Sequence, residues 1–194
     1  MTTLLLIRHA HTDMAGRFCG HSDPELSCTG RQQLPELITQ LRQWPLSKVY
    51  ASDLKRAVQT AQAVVSIQNV AQNNLPVQIR PALREIYFGE WEGRSWDEIE
   101  AADPATASAW LKGYPHIAPP RGERFQDFEQ RVQNELAALA AEVEDEVVAA
   151  VTHAGFIRTA LSLISKAPIA SIAKIDYASV TELQLAEQKW TIGQ

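Results

Sequence analysis

Two short aliphatic runs constrain this chain more than any other feature, and each stops abruptly on a histidine. Leu4–Ile7 runs into Arg8 and His9, and VVAAVT, 147 to 152, runs into His153. Neither run is long enough to span a membrane. Four aliphatic residues in a row, with no polar alternation, describe a strand covered on both faces, as in a parallel sheet.

The rest of the chain fits that architecture. Residues 11 to 24 are polar and carry Gly16, Gly20 and Pro24, a loop composition. A helix is expected from about Ser27, capped by Ser27 or Thr29, with Leu34, Leu37, Ile38 and Leu41 at helical spacing. Pro35 lies inside that pattern and implies a kink or a late start. KVYAS, 48 to 52, reads as a strand. Asp53 then opens a helix with Ala57, Ala61, Val64 and Val65 on one stripe. VQIRPAL, 77 to 83, reads as a third strand. Residues 91 to 122, rich in Trp, Ala, Pro and Gly, read as an insertion with short helices that forms a lid or pocket wall. Phe125, Phe128, Val132, Leu136 and Leu139 mark an amphipathic helix, and another follows from about Gly155 to Ser165. The tail, 176 to 192, reads as strands joined near Glu187. Strands alternating with helices predict an α/β fold, a three-layer α/β/α sandwich around a mostly parallel sheet. At 194 residues one domain is expected.

A net charge of −5 argues against a general nucleic-acid or membrane partner, because both favour a basic face. Cys19 and Cys28 show no framework spacing and are expected to stay reduced in the cytoplasm. The N-terminal run has no basic leader and is too short for a signal peptide.

In open α/β sheets ligands collect beyond the carboxyl ends of the strands. Arg8 and His9 end one strand, His153 ends another, and Arg56 lies in the helix after KVYAS. If these strands are parallel neighbours, two arginines and two histidines share one edge. Such a cluster needs an anion, and a phosphoryl group suits four donors. Taken singly, a histidine at a strand end is more often an ordinary surface or core residue, and Arg56 an ordinary exposed helix residue.

The same residues carry a family resemblance. LIRHAHTD resembles the Arg-His-Gly signature of the histidine phosphatase superfamily, also called the phosphoglycerate mutase-like family. SDLKRAVQTA (52 to 61), LREIYFGEWEG (83 to 93) and VTHAGFIR (151 to 158) resemble its other blocks, in the same order. The resemblance implies that His9 is the nucleophile, forming a phosphohistidine, with its other ring nitrogen held by a backbone carbonyl of the following loop. It implies that Arg8, Arg56 and His153 hold the phosphoryl oxygens and that Glu85 is the general acid, with Glu90 and Glu92 as nearby rivals. Cys19 and Gly20 fall where the family's loop turns backbone N–H groups to the phosphate, and Ala154 falls beside the bound substrate. No metal or cofactor is implied, and the partner is a small phosphate ester bound by a monomer or homodimer. Ala10 and His11 depart from the usual glycine and glutamate.

The chain lacks the long insertions of the mutases, which favours hydrolysis. Trp110 and GERFQDFEQRV, 122 to 132, resemble the α-ribazole phosphatases, which remove a 5′-phosphate from a nucleoside-like precursor in cobalamin synthesis. Trp91, Trp96, Trp110 and Tyr114 could supply an aromatic wall for a flat base, or could simply pack the insertion. A broad sugar-phosphate phosphatase, a mutase-like enzyme and a non-catalytic phospho-ligand binder are the alternatives. HAHTD also resembles the start of a metallo-hydrolase motif, with Cys19, His21 and Cys28 as further ligands, although Met14 replaces its last histidine.

Overall fold

The computed structural model describes residues 2–68 and 75–193. Its strands are β1 (Thr2–Arg8), β2 (Lys48–Ala51), β3 (Val77–Ile79), β4 (Val147–Thr152), β5 (Val180–Ala186) and β6 (Lys189–Ile192). Its helices are α1 (Cys28–Leu41), α2 (Lys55–Gln68), α3 (Trp96–Ala102), α4 (Pro104–Gly113), α5 (Phe125–Glu142) and α6 (Ala154–Ser165). One sheet runs in the order β3-β2-β4-β1-β5-β6. β3, β2, β4 and β1 are parallel, while β5 and β6 extend the sheet antiparallel.

Successive side chains of a strand point to opposite faces, so an all-aliphatic strand feeds two cores. Leu4 and Leu6 join Phe128, Val132 and Leu136 of α5 and Phe156 and Ile157 of α6. Leu5 and Ile7 join Leu37 and Leu41 of α1 and Ala57, Ala61 and Val64 of α2. The result is the expected three-layer sandwich, with β1 and β4 at its centre. Each fully buried Leu or Ile contributes about 1.5–3 kcal/mol.

Several local expectations change. α1 starts at Cys28 behind the Ser27 cap and continues through Pro35, so there is no late start. Its exposed position lets the helix lose one N–H bond without burying an orphaned carbonyl. Asp53 does not open α2. That helix begins at Lys55, whose N–H donates to Asp23 Oδ1 at 2.6 Å, while Asp53 pairs with Arg84. The third strand stops at Ile79, because Pro81 starts a 3₁₀ turn over Pro81–Leu83. β5 and β6 are joined by Glu187 and Gln188, both with positive φ, as a two-residue hairpin requires.

Candidate active site

The parallel register of β1 and β4 builds the site. Arg8 sits opposite Thr152, so the next residues, His9 and His153, leave the sheet side by side. Their rings lie 5.0 Å apart. β2 ends beside Val151, and the chain then turns into α2, whose first turn carries Arg56 against His9. β5 runs antiparallel to β1, so the segment entering it also meets this edge. That segment lays the Tyr177 ring over the Arg8 guanidinium at 3.5 Å.

Arg8, His9 and Glu85 line a cavity of about 300 Å³, shared with Thr12, Cys19 and Tyr177. Arg56 and His153 are fully buried behind His9. His9 Nδ1 lies 2.8 Å from the Ala10 carbonyl. A carbonyl only accepts, so Nδ1 carries the proton and Nε2 keeps its lone pair. Arg56 Nε–H donates to that Nε2 at 3.2 Å. The rest of Arg56 is tied to the loop carbonyls of Ser22 at 2.6 Å, Gly20 at 2.8 Å and Cys19 at 3.3 Å. Arg8 Nη1 donates to the Ile175 carbonyl at 2.6 Å.

Burial and the two arginines dominate the electrostatics of the site. Burial, then Arg56, holds His9 well below the usual imidazole range, and the Ala10 carbonyl only partly opposes this. Burial, Arg56, His9 and Arg8 depress His153 in the same way. Among the described residues, Arg8 Nε and both ring nitrogens of His153 are buried with no hydrogen-bond partner. Unpaired buried polar groups are costly and call for an explanation, and an oxyanion here accepts from Arg8 Nε–H and from the one N–H that a neutral His153 carries.

Glu85 is the carboxylate at the pocket. Burial raises its pKa, against the pull of two N–H bonds, from Gly155 at 2.9 Å and Ile86 at 3.0 Å, and of Arg56 and Arg8. Its neighbour Arg84 pairs with Asp53 instead. The rival acids are committed elsewhere. Burial pulls the Glu92 carboxyl up, but bonds from Ser22, Phe88 and His21 outweigh it and hold the group below its usual range. Glu90 pairs with Arg121.

Two expectations for the loop part company. Cys19 reaches the pocket wall, but the Gly20 N–H donates to Glu92 Oε2 at 3.2 Å rather than facing the pocket. Gly20 is required for another reason: a Cβ there would collide with the Ile86 carbonyl and the Glu92 carboxylate. Ala154 opens α6 and borders a second cavity beyond Glu85. Ala10 is fully buried, with its N–H on Thr60 Oγ1 at 3.1 Å. His11 bonds Ser27 Oγ at 2.8 Å and so supports the α1 cap.

The alternative metal set does not assemble. His11 is held by Ser27, while His21 Nε2 lies 3.1 Å from the Glu85 carbonyl. Cys19 and Cys28 are free thiols, and no cluster of metal-binding side chains occurs among the described residues. Of the four aromatic candidates, Trp91 is buried in a small core with Ile99 and Ala107. Trp96 borders the His9 cavity, and Trp110 and Tyr114 border the second one.

Tyr177 lies outside every quoted motif, and Arg131 lies within GERFQDFEQRV, where the sequence alone assigns it no role. Arg131 Nη1 donates to the carbonyls of Ala82 and Arg84, each at 2.9 Å, and Nη2 to that of Glu85 at 3.2 Å, while Glu123 braces the guanidinium. This clamp sets the backbone that carries Glu85. The signal for Tyr177 was topological, since the entry to an antiparallel neighbour of β1 must lie at the same edge.

A parallel-rich sheet whose edge brings Arg8, His9 and the raised-pKa Glu85 to one cavity, with Arg56 and His153 buried behind His9, suits the handling of a phosphate group. Comparison with known proteins agrees: the chain belongs to the histidine phosphatase superfamily (branch 1), matched over residues 4–194. It is 36% identical over 154 residues to the adenosylcobalamin/alpha-ribazole phosphatase of Escherichia coli K12, covering 78% of this chain and 73% of that protein. It is 30% identical to a metal-independent phosphoserine phosphatase of Arabidopsis thaliana over 197 residues, 99% of this chain and 80% of that protein. The crystal structure of the alpha-ribazole phosphatase from Shigella flexneri superposes with a TM-score of 0.84 at 29% identity, covering 98% of this chain and 94% of that one. The protein is a phosphatase. Among the described residues no helix is long and apolar enough to cross a membrane.

Proposed function

We propose that the protein hydrolyses phosphate monoesters through a phosphohistidine on His9, without a metal, and that its substrate is α-ribazole 5′-phosphate. The observation that carries this reading is the set of unpartnered buried groups, Arg8 Nε–H and the His153 ring, around an imidazole whose unprotonated Nε2 accepts the 3.2 Å bond from Arg56, a donor that turns to the phosphoryl group when His9 attacks. In the first step His9 Nε2 attacks phosphorus in line, the P–O bond to the alcohol breaks, and Glu85 gives its proton to the departing oxygen. Arg8, Arg56 and His153 hold the three remaining oxygens, the two guanidinium groups supplying the positive charge and His153 a neutral N–H. In the second step the Glu85 carboxylate takes a proton from water, water oxygen bonds to phosphorus, and the P–N bond breaks to restore His9. The arginines do the electrostatic work that a cation does in other phosphatases.

The α-ribazole reading is supported by the named relatives and by the apolar, aromatic cavity beyond Glu85, bordered by Phe88, Trp110 and Tyr114. Phosphate release in EDTA tests both halves. Turnover is expected to survive the chelator, and kcat/KM for α-ribazole 5′-phosphate is expected to exceed that for phosphoserine by at least about 100-fold, the discrimination that one well-filled apolar pocket supplies. Loss of turnover in EDTA would overturn the mechanism, and preference for phosphoserine would overturn the substrate.

Gly155 tests the placement of the acid. A Cβ at this position would run into the Glu85 carboxylate. Gly155→Ala is expected to displace Glu85 and lower kcat/KM about 100-fold, as a misplacement near 1 Å does. Alanine suits a helix better than glycine, so little loss in Tm is expected. Activity within twofold of the parent enzyme would show that the acid tolerates the shift.

A further inference from the structure

The second cavity, about 450 Å³, shares Glu85, Phe18 and Phe88 with the His9 cavity. A leaving oxygen placed at Glu85 therefore extends its carbon skeleton into this space, a volume typical of a small-molecule site. Most of the wall is apolar or aromatic. The α6 side carries two donors, Arg158 and Thr159.

Both donors are unpaired. Arg158 is anchored by Nη2 on the Ile169 carbonyl at 2.9 Å, which leaves its Nε–H buried without a partner. Thr159 is fully buried, and its hydroxyl has no hydrogen-bond partner among the described residues. A helical threonine or serine ordinarily bonds back to the carbonyl a turn earlier. Thr60 does so to Arg56 at 2.7 Å, and Ser165 to Leu161 at 2.7 Å. Thr159 does not. A valine of the same shape would remove the unsatisfied group, so packing alone does not account for the hydroxyl.

We propose that Thr159 Oγ1–H and Arg158 Nε–H form a specificity site for the leaving alcohol, which carries a flat apolar ring with a hydrogen-bond acceptor on its edge. The inference rests on the phosphatase reading above and adds the two residues that recognise the ring. The chemistry of the wall favours a neutral heteroaromatic acceptor over an amino-acid alcohol. An ammonium group would lose its hydration against Trp110, Tyr114 and Phe125, and Glu123, the nearby acid, is already engaged by Arg131.

Naphthyl phosphate and the set of quinolinyl phosphates make the test, since each pair differs by CH against N at one ring position, and the accompanying change in leaving-group basicity is the same for parent and variant. At least one quinolinyl ester is expected to exceed naphthyl phosphate in kcat/KM by about tenfold, the effect of one hydrogen bond gained in a buried site. Thr159→Val is expected to lower that ratio about tenfold, and Thr159→Ser to keep it. The Tm of Thr159→Val should be no lower than that of the parent. A ratio near unity for every quinolinyl isomer, or a ratio that Thr159→Val leaves unchanged, would overturn the inference and leave the phosphatase reading intact. Hydrolysis of these esters that persists in His9→Ala would instead overturn the reading beneath it.

Discussion

His9→Ala is expected to reduce phosphate release by a factor on the order of 10⁴ or more for every ester, with the fold intact. Loss of a covalent nucleophile removes the whole two-step route, and losses of this size are typical of such residues. The fold should survive because His9 contributes little apolar packing. It lies past the end of β1, beyond the Leu4–Ile7 segment that feeds both cores. The variant also separates binding from turnover. Arg8, Arg56 and His153 remain, so inorganic phosphate or vanadate should still bind. Rapid-quench experiments with ³²P-labelled ester should trap an acid-labile, base-stable label on the parent protein and none on His9→Ala. A label that persists in the variant, or a loss of less than about tenfold, would mean that water attacks the ester directly and that His9 only orients the phosphate.

Glu85→Gln is expected to act selectively according to the leaving group. An alkyl ester leaves as a strongly basic alkoxide and needs the proton, so kcat/KM should fall by about 10²–10⁴. Nitrophenolate leaves without one, so p-nitrophenyl phosphate should lose far less in kcat/KM. Its kcat should still fall, because removal of the base strands the phosphohistidine. A burst of nitrophenol followed by a slow steady state is the expected trace.

The pH profile carries the same assignment with a definite sign. The first step needs Glu85 protonated and His9 neutral. Burial raises the Glu85 pKa above its usual 4.5, so kcat/KM for an alkyl ester should fall as pH rises through that raised value. Burial and Arg56 lower His9 well below 6.5, so the acid limb should lie below the ordinary histidine range. Glu85→Gln should remove the alkaline limb and keep the acid one. Equal losses on alkyl and nitrophenyl esters, or an unchanged alkaline limb, would move the acid role away from Glu85. The main competitor would be Glu92, which is poorly suited because its hydrogen bonds favour the ionised form.

Some of this site was legible from residues alone because the covalent chain does the positioning. A strand end is a local feature: Leu4–Ile7 must be buried, so whatever follows emerges at a sheet edge. The same reasoning applies to His153 after Val147–Thr152. Arg56 was legible because it sits in the first turn of a helix that follows β2 directly. The α1 cap at Ser27 and the hairpin near Glu187 were also local, set by side-chain and backbone preferences within a few residues.

Other features depended on partners distant in sequence. Asp53 looked like a helix opener, but Arg84 takes its carboxylate, and Asp23 caps α2 in its place. Gly20 looked like a phosphate-facing turn, but Glu92, far along the chain, claims its N–H. The long third strand was shortened by Pro81, and Trp91 went to a small core rather than to a pocket.

What the sequence by itself determined is therefore the layer architecture and the two histidine-bearing strand ends. Burial of aliphatic runs and the periodicity of helices and strands are properties of neighbouring residues. Only the tertiary structure decided which carboxylate keeps a raised pKa, which donors stay unpaired, and where Tyr177, Arg131 and Thr159 meet the site. Those outcomes depend on desolvation and on hydrogen bonds between groups remote in sequence. Both are properties of the packed interior, and no local pattern of residues encodes them.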